Sequence, residues 1–443
     1  MNNLRDNDDP LSSVRHDHDR IRLKYLVDVN PDSVTGQFSD SDEIEYVEIS
    51  SVNARGEITD TQMVEFGEAP SRAQRLVQPG DVLISTVRTY LKAIAQIQSP
   101  PENMVVSSGF GVLRPNERIN PDYLWYVLQS TPFIDWVVAN SEGVSYPAIS
   151  TGRLSDMVIP VPSITQQERI CAYLDPWLDS IEQNVGRLNG YKKDLLNQKD
   201  HLQRELILGA ESPCETSVDS GVDWIGEVPK HWDIVRTRFV AELESGHTPD
   251  RSNDEYWENT DIPWVTTSDI KPFREGRKRY LYETEYQISE FGMENSGAHL
   301  LPEGTVFLSR TASVGFSGIM GEPMATSQDF ANWVCGDEII PEYLLYVFRS
   351  MDQEFDRLMQ GSTHQTIYMP DIKSFKTPLP PLEEQREIVN HIEAETERLW
   401  ELIDRVEETI DLLEEKRQAL ITAAVTGQID VSEVKMAPKA SFT

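Results

Sequence analysis

The chain has 443 residues, of which 39% are hydrophobic and 26% are charged, proportions typical of a globular protein with several domains. No apolar run reaches the roughly 18–20 residues that a membrane-spanning helix needs. The acidic first residues also lack the basic and apolar segments of a secretory signal. Three isolated cysteines, Cys171, Cys214 and Cys335, argue against a disulfide framework and a zinc site. The sequence therefore predicts a cytoplasmic protein.

The net charge is strongly negative. The chain carries 74 acidic residues against 40 basic ones, a formal charge of −34, and arginines outnumber lysines. An acid-rich, lysine-poor surface is the composition that a high intracellular salt concentration would favour, which gives the hypothesis of a halophilic host. The total charge therefore does not decide whether the protein binds DNA, and only local clusters of basic residues can.

The sequence contains an internal repeat. Residues 160–170 (PVPSITQQERI) and 378–388 (PLPPLEEQREI) share two prolines, a glutamine and an isoleucine at equivalent positions, 218 residues apart. The same offset relates Gly209 to Gly427, and YLWYVLQS from Tyr123 recurs as YLLYVFRS from Tyr343. A steady offset over most of the chain indicates a tandem duplication of about 200 residues.

The first part of each copy is mixed. Short β-rich runs at 45–49, 81–85 and 305–309 alternate with turn-forming residues. One amphipathic helix is predicted in each copy, at 123–129 and 343–349. These patterns predict a compact α+β domain in each copy.

The second part of each copy has the heptad spacing of a long coiled-coil helix. Lys192 and Lys199 occupy two positions of the first apolar seam. Ser163 is predicted to cap the first helix, Gly209 and Gly427 to end the two helices, and Pro176 to kink or break the first one. The seams comprise Ile170, Leu174, Leu178, Ile181, Val185, Leu188, Leu195, Leu202 and Leu206, and Ile388, Ile392, Leu399, Ile403, Val406, Ile410, Leu413, Leu420 and Ala424.

Two equivalent seams are natural partners, although a single stripe of this kind is also typical of an ordinary helical hairpin in a core. A pseudo-two-fold axis between the copies predicts antiparallel packing, with the mixed domains at opposite ends of a rod roughly 65–70 Å long. Over 382–417, 13 acidic residues oppose five basic ones, whereas 164–208 is nearly balanced. The helices are therefore expected to space the domains and to bind proteins, not to follow DNA phosphates.

The usual catalytic signatures are missing. The sequence has no phosphate-binding GxxxxGK[ST] loop, no glycine-rich turn for a dinucleotide or S-adenosylmethionine, and no Asn-Pro-Pro-Tyr-like tetrapeptide. His16 and His18 lie in an acidic tail, and Glu414-Glu-Lys416 is typical of a solvated helix face. We therefore predict no catalytic centre, no bound cofactor and no metal site.

Basic and hydrogen-bonding residues cluster locally despite the global charge. Residues 271–279 contain five basic residues and one acid, and the ends of two predicted strands carry Arg, Ser and Thr. Such residues contact phosphates and base edges, although turn chemistry and solvated charge are the alternative explanation. The candidate DNA-binding residues are Arg88, Thr89, Tyr90, Lys92, Ser108, Ser268, Lys271, Arg274, Arg277, Lys278, Arg279, Arg310, Thr311, Ser313, Ser327, Gln328, His364 and Gln365.

Together these motifs resemble those of the specificity (S) subunits of type I restriction–modification systems. The resemblance covers about residues 21–430. It includes DSGVDWIGEVPKHW (219–232), PLPPLEEQ (378–385), LITAAVTG (420–427) and QERICAYLD (167–175). Pro176 and the strong acidity depart from the family pattern.

The resemblance implies a non-catalytic subunit of a restriction endonuclease and adenine-specific DNA methyltransferase complex. Each mixed domain would be a target recognition domain that reads one half of a bipartite site in double-stranded DNA. The helices would bind two methyltransferase (M) subunits, through which restriction (R) subunits join. S-adenosylmethionine, ATP and magnesium would be bound only by those partners.

The residues also permit two other functions: a two-headed protein adaptor that does not bind DNA, and an enzyme with a fused methyltransferase.

The predicted boundaries are a tail at 1–20, recognition domain 1 at 21–160, the central helix at 163–210, a linker at 211–222, recognition domain 2 at 223–378, the C-terminal helix at 382–427 and a tail at 428–443.

Overall fold

A computed structural model describes residues 19–143, 147–210, 212, 216–359 and 366–433. The chain divides into two compact units. Unit 1 ends at Leu188 and resumes at Glu408, and unit 2 comprises Asn189–Glu407. Each unit therefore contains one mixed domain together with a segment of both long helices.

Unit 1 is built on two four-stranded sheets and one two-stranded ladder. The strand orders are β2-β9-β6-β7, β4-β3-β8-β5 and β1-β10. The elements are β1 (Asp19–Arg22), β2 (Val27–Val29), β3 (Glu43–Val47), β4 (Gln62–Glu65), β5 (Ala73–Leu76), β6 (Val82–Ser85), β7 (Ile94–Gln96), β8 (Met104–Ser107), β9 (Phe110–Pro115), α1 (Pro121–Gln129), α2 (Thr131–Ala139), α3 (Thr151–Ser155), β10 (Val158–Val161) and α4 (Ile164–Ile207), the last of which continues into unit 2.

Unit 2 contains one five-stranded sheet, one three-stranded sheet and two ladders. The orders are β14-β21-β18-β19-β16, β17-β15-β20, β11-β12 and β13-β22. The elements are β11 (Ser217–Asp219), β12 (Glu227–Pro229), β13 (Asp233–Arg236), β14 (Ala241–Ser245), β15 (Ile262–Val265), β16 (Tyr280–Leu281), β17 (Tyr286–Ile288), α5 (Glu290–Glu294), β18 (Val306–Ser309), β19 (Ser317–Met320), β20 (Ala325–Thr326), β21 (Phe330–Cys335), α6 (Pro341–Arg349), α7 (Asp352–Met359), α8 (Met369–Ile372), β22 (Lys376–Leu379) and α9 (Leu382–Val425).

The central strands of both units are buried on both faces. Every residue of β6 and of β18 is buried, and each of these strands pairs with the long strand β9 or β21. Continuous apolar runs such as VLIS and VFLS are the expected sequences for strands covered on both sides. Helices α1 and α6 pack against these sheets through buried tyrosine, leucine and valine side chains.

The two long helices pack antiparallel in each unit. In unit 1, Leu174 and Leu178 of α4 lie in the same core as Ile421 and Val425 of α9. In unit 2, α4 contacts α9 through a Lys192–Glu407 ion pair, the Lys199 ammonium over the Trp400 ring, and Leu206 packed near Ile392. Residue numbers thus rise along one helix while they fall along the other. The predicted fold class, two mixed α/β domains with a long antiparallel helix pair, is confirmed.

The ends of the long helices agree with the sequence prediction, but the kink or break predicted at Pro176 does not occur. The Ser163 hydroxyl accepts a hydrogen bond from the Gln166 amide at 3.4 Å, and Gly209 and Gly427 adopt positive φ angles of 86° and 71° at the C-termini. Helix α4 runs unbroken through Pro176, contrary to the expected break. Pro176 is exposed while Leu174 and Leu178 are buried, so apolar packing on the other face holds the helix together.

Other boundaries shift by a few residues. The predicted linker at 211–222 contains β11, which pairs with β12. The strand expected at 45–49 is β3 at Glu43–Val47, and Ile49–Ser51 forms a 3-10 turn instead. Among the described helices, none combines the length and apolar character required to cross a membrane.

A buried glutamine joins each long helix to its mixed domain. In unit 1, the Gln167 amide accepts a hydrogen bond from the Asn120 N–H at 2.7 Å and donates to the carbonyls of Arg118 and Pro162 at 3.1 and 2.9 Å. The Tyr123 hydroxyl donates to the Pro160 carbonyl at 3.1 Å. Complete burial raises the pKa of this phenol well above its ordinary value, so the hydroxyl remains a donor.

Unit 2 repeats this network. Gln385 accepts from the Ile340 N–H at 3.0 Å and donates to the carbonyls of Glu338 and Pro380, both at 2.9 Å. The Tyr343 hydroxyl donates to the Pro378 carbonyl at 3.0 Å. In both units, therefore, one amide fixes the proline-rich turn, the start of the long helix and the segment before the domain helix.

We predict that Gln167→Ala and Gln385→Ala each lower the free energy of unfolding by about 2–4 kcal/mol. Each substitution removes three hydrogen bonds and leaves buried backbone groups unpaired. Calorimetry of the full chain measures the effect, and Gln37→Ala, at an exposed glutamine, is the control. Equal stabilities of the Gln167→Ala and Gln37→Ala variants would contradict a structural role for the network.

Candidate nucleic-acid interface

Three loops of unit 1 meet where β6 ends. The Thr86 amide and hydroxyl both donate to the Gly109 carbonyl at 2.8 Å, which ties the loop after β6 to the turn between β8 and β9. The Ile149 N–H donates to the Thr86 carbonyl at 2.8 Å, which brings in the segment before α3. This convergence, with Ser108 in the middle turn, defines the strand-end surface of unit 1.

The loop after β6 presents its side chains on a short, constrained turn. Arg88 and Lys92 flank a 3-10 turn with positive φ angles of 51° and 54°. Thr89 points inward, is buried, and shares a 2.9 Å hydrogen bond with the Ser141 hydroxyl. Arg88, Tyr90 and Lys92 are exposed on this turn, which the buried Thr89 supports.

Unit 2 has an equivalent strand-end surface after β18. The Arg310 N–H donates to the Asp329 carbonyl, and the Ile367 N–H donates to the Arg310 carbonyl, both at 2.9 Å. Ala312 has a positive φ of 60°, as Arg88 has in unit 1. The Arg310 guanidinium donates through Nε to the Gln328 carbonyl at 2.9 Å, which leaves the Gln328 side chain exposed.

The parallel strands β15 and β20 bring two further predicted residues to this surface. Their C-terminal ends are adjacent, and the Ser327 N–H donates to the Val265 carbonyl at 2.9 Å. Ser268 follows β15 and shares a 2.7 Å hydrogen bond with Thr266. Ser327 is buried and bonds to Asp329, so it stabilises the turn rather than facing outward.

Thr311 and Ser313 form the base of the unit 2 loop. Thr311 pairs with Thr366 in an isolated β-bridge, and the Ser313 N–H donates to the Thr311 carbonyl at 2.6 Å. Both side chains are only partly exposed. His364 and Gln365, which the sequence also singled out, lie outside the described residues.

Part of the basic segment 271–279 contacts the second long helix. Arg277 forms a two-fold hydrogen bond with Asp404 at 2.6 and 2.9 Å and stacks over Trp400. Arg279 pairs with Glu393. The Arg277–Asp404 contact raises the pKa of the guanidinium and lowers that of the carboxyl. The sequence analysis did not predict that these arginines pair with carboxylates of α9. A basic run in a chain that also contains a strongly acidic helix was the available signal.

The other basic residues of the segment face elsewhere. Arg274 lies over Phe316, beside the loop after β18, with 5.9 Å between the guanidinium and the ring centre. Lys271 is exposed, and exposed Lys278 lies over the Phe273 ring. The structure thus brings Arg274 toward the strand-end surface of unit 2 and directs Arg277 and Arg279 to α9. A phosphate-binding role for the segment stays a prediction.

Sequence reasoning also missed the residues that hold the loops in place. Gly109 is one of them, because a Cβ at this position would collide with the Ile49 side chain. Thr86 and Ser141 are others, since their hydrogen bonds fix the loop after β6. A glycine immediately before the buried run of β9 was the available signal.

A separate cavity of about 700 Å³ lies in unit 1, between the domain and the helices. Its lining includes Glu57, Asp175, Glu182 and Glu414, which would repel phosphate. A hydrogen bond with Glu57 raises the pKa of Glu182. Among the described residues, no group of three or more His, Cys, Asp or Glu side chains is placed to hold a metal ion.

The family comparison decides the classification. The model of the family described as "Type I restriction modification DNA specificity domain" matches residues 22–190 and 229–421, which together exceed half of the chain. The chain belongs to this family. The prediction that it is a specificity subunit, which is the non-catalytic component of such systems, is thereby confirmed.

Relatives of this specificity-family chain include two from Methanocaldococcus jannaschii. The type I restriction enzyme MjaIX specificity subunit is 31% identical over 166 residues, which cover 37% of this chain and 38% of the relative. The putative MjaX specificity subunit is 21% identical over 441 residues, covering 95% and 96%. A solved structure from work on assembly and conformational transition of the type I R-M system has a TM-score of 0.67 and 24% identity, covering 94% and 99%, and supports the fold.

The structure predicts that the basic residues of 271–279 differ in their effect on DNA binding. Lys271→Ala/Lys278→Ala should lower the slope of log affinity against log salt by about 0.9 for each phosphate that the variant no longer neutralises. Arg277→Ala/Arg279→Ala should change this slope less, because both guanidinium groups are engaged by carboxylates of α9.

Fluorescence anisotropy with duplex DNA at several salt concentrations measures the slopes. Arg357→Ala, at an exposed arginine that pairs with Glu354, is the control. A larger change in slope for the Arg277→Ala/Arg279→Ala variant than for the lysine variant would show that the arginines leave α9 to bind phosphates.

Proposed function

We propose that this chain is the DNA-binding specificity subunit of a type I restriction–modification complex, in which each mixed domain reads one half of a bipartite target. The observation that carries the proposal is the recurrence of the strand-end surface in both units. In each unit a loop after a buried strand, a strand-connecting turn and the segment before a short helix converge through equivalent hydrogen bonds. Different side chains occupy this common framework in the two units.

The chemistry of the exposed residues suits double-stranded DNA. An arginine can donate two hydrogen bonds to guanine, and a glutamine can pair with adenine in the major groove. Unit 1 exposes Arg88, Tyr90 and Lys92. Unit 2 exposes Gln328 beside the half-buried Arg310, whose guanidinium donates to the Gln328 and Ile367 carbonyls. These groups concentrate positive charge and donors at one end of each domain, which a chain of net charge −34 needs in order to approach phosphates.

The paired helices have two roles in this proposal: they set the spacer between the half-sites and bind two methyltransferase subunits. Restriction subunits join the complex through the methyltransferase subunits. S-adenosylmethionine, ATP and magnesium are bound by the partners. The acidity of α9 supports a protein-binding role over a DNA-binding one, because carboxylates repel phosphates.

Exchange of a recognition domain tests the division between the two readers. Replacing residues 21–158 by the corresponding domain of another specificity subunit should change one half of the methylated sequence and leave the other half intact. Sequencing of modified bases in a host that carries the complex measures the outcome. A change in both halves, or in neither, would contradict the two-reader function.

Heptad insertion tests the spacer. Adding seven residues to both α4 and α9 keeps the apolar seams in phase and lengthens the pair by about 10 Å, or about three base pairs. The methylated site should keep both half-sites and gain a longer spacer, although rotation of the domains lowers activity. Insertion of three residues, which takes the seams out of phase, is the control, and an unchanged spacer would contradict the helix-ruler role.

The alternative is a two-headed adaptor that does not bind DNA. An electrophoretic shift with random and target duplexes, with and without the methyltransferase subunit, separates the two functions. Failure to bind duplex DNA under every condition would favour the adaptor.

A further inference from the structure

An exposed aromatic ring beside a basic side chain occurs at the same point of both units. In unit 1, the 3-10 turn Leu23–Tyr25 connects β1 to β2, and the Tyr25 side chain is 54% exposed. The Lys24 ammonium lies 5.7 Å from the centre of the Tyr25 ring. The corresponding turn of unit 2 connects β13 to β14, where Phe239 is 69% exposed and the Arg238 guanidinium lies 5.4 Å from its ring. We call these two pairs the cation–aromatic pairs.

The fold holds both turns rigidly. Leu23 is fully buried, and its N–H donates to the Met157 carbonyl at 2.8 Å. Thr237 is fully buried as well, and its N–H donates to the Phe375 carbonyl at 3.0 Å. The residue after each ring, Leu26 or Val240, returns to the core. Each ring is therefore held outward between buried neighbours.

The cation–aromatic pairs lie at the opposite end of the sheet from the strand-end surfaces. In unit 1, Val27 at the start of β2 pairs with Pro115, whereas Ser85 at the end of β6 pairs with Phe110. Phe110 and Pro115 lie five positions apart along β9, a distance of about 17 Å. In unit 2, the residues of β21 that pair with Ser309 and Ala241 are likewise five positions apart. A DNA duplex on the strand-end surface is thus an unsuitable partner for the pairs.

The composition of the pairs is typical of a protein interface. Aromatic residues and arginine are enriched at the centres of interfaces and contribute most of their binding energy. Arg22, which pairs with Asp156 at 3.1 Å, and Arg236 precede the pairs on β1 and β13. Two basic side chains in unit 1 thus share one carboxylate, so positive charge exceeds negative charge there in a chain that is otherwise strongly acidic. Such a surface is complementary to a partner that has carboxylates around an apolar pocket.

We infer that the cation–aromatic pairs are two equivalent docking points for a protein partner with an acidic surface, one copy of which binds to each unit. The recurrence of the pair agrees with the two methyltransferase subunits of the proposed function, because a surface that occurs twice can bind one kind of partner twice. The inference rests on the proposed function, under which this partner is the methyltransferase subunit. The contact lies on the mixed domains and adds to the one proposed for the helices.

The two docking points differ in charge. Lys24 forms a 2.7 Å ion pair with Asp156, whose pKa is lowered chiefly by this hydrogen bond. In unit 2 the equivalent position is Ser374, which carries no charge. Asp156 and Ser374 each precede the residue whose carbonyl accepts the hydrogen bond from the turn, Met157 in unit 1 and Phe375 in unit 2. The unit 2 point is therefore more positive, and its partner affinity is expected to fall more steeply with salt.

Native mass spectrometry of the full chain with its methyltransferase subunit tests the inference. We expect two copies on the wild type. The variants Lys24→Ala/Tyr25→Ala and Arg238→Ala/Phe239→Ala should each lower the affinity for one methyltransferase copy at least tenfold, which is about 1.4 kcal/mol. The variant with all four substitutions should lower the affinity for both copies. Tyr286→Ala, at a tyrosine of unit 2 with 48% exposure, should change nothing.

Charge-reversal variants show whether a loss of partner binding comes from misfolding or from the changed surface. Lys24→Glu and Arg238→Glu leave the rings in place at exposed positions, and thermal melting checks that the variants fold. These changes should lower the affinity for the acidic partner through charge repulsion, and the loss of affinity should be larger at low salt.

The outcomes are distinct. Two copies bound with unchanged affinity by the variant with all four substitutions would overturn the inference. Weakened DNA binding with intact partner binding would also overturn it and assign the pairs to phosphate contacts. A wild-type chain that takes up no methyltransferase subunit would instead refute the proposed function on which the inference rests.

Discussion

The buried amide of Gln167, and that of Gln385 in unit 2, is the interaction on which each unit depends most. The start of a long helix, a proline-rich turn and the segment before a domain helix all have backbone groups that need partners. One glutamine side chain satisfies a donor and two acceptors among them. A hydrogen-bonded amide in a dry core is directional, so the helix leaves the mixed domain in one defined orientation.

The basic residues, which are few, have different electrostatic environments and roles. Arg277 and Arg279 neutralise carboxylates of α9, and Lys192 and Lys199 fill positions of the helix seam. Arg88 and Lys92 lie exposed at the strand-end surface of unit 1. A net charge of −34 would repel nucleic acid if the positive groups were spread evenly. Concentrating them at particular ends of the mixed domains is the arrangement that allows a DNA-binding role.

The two units share a framework and differ in what they present. The loops after β6 and β18 have a positive φ at the same place, at Arg88 in one unit and Ala312 in the other. Two residues after Arg88 lies the exposed Tyr90, whereas the half-buried Val314 lies two residues after Ala312. Backbone hydrogen bonds hold both loops, so their side chains can change without loss of the loop geometry. This separation of support from contact allows the two units to present different side chains on one framework.

The sequence by itself determined the features that depend on local chemistry. Heptad spacing predicted α4 and α9, glycines predicted both helix ends, and short apolar runs predicted β6 and β18, because each signal acts over a few neighbouring residues. The same motifs carried the family resemblance. The charge of segment 271–279 was equally visible, but its partners were not.

Tertiary structure alone decided which of the remaining possibilities occurs. Pro176 is tolerated because residues distant in the chain bury the opposite face of its helix, and Arg277 meets Asp404 across 127 residues of sequence. Tyr25 and Phe239 carry no distinctive signal in the sequence, since only the packing of their neighbours turns both rings outward. Contacts between residues far apart depend on how the sheets and helices assemble, and that assembly minimises the free energy of the whole chain rather than of any local segment.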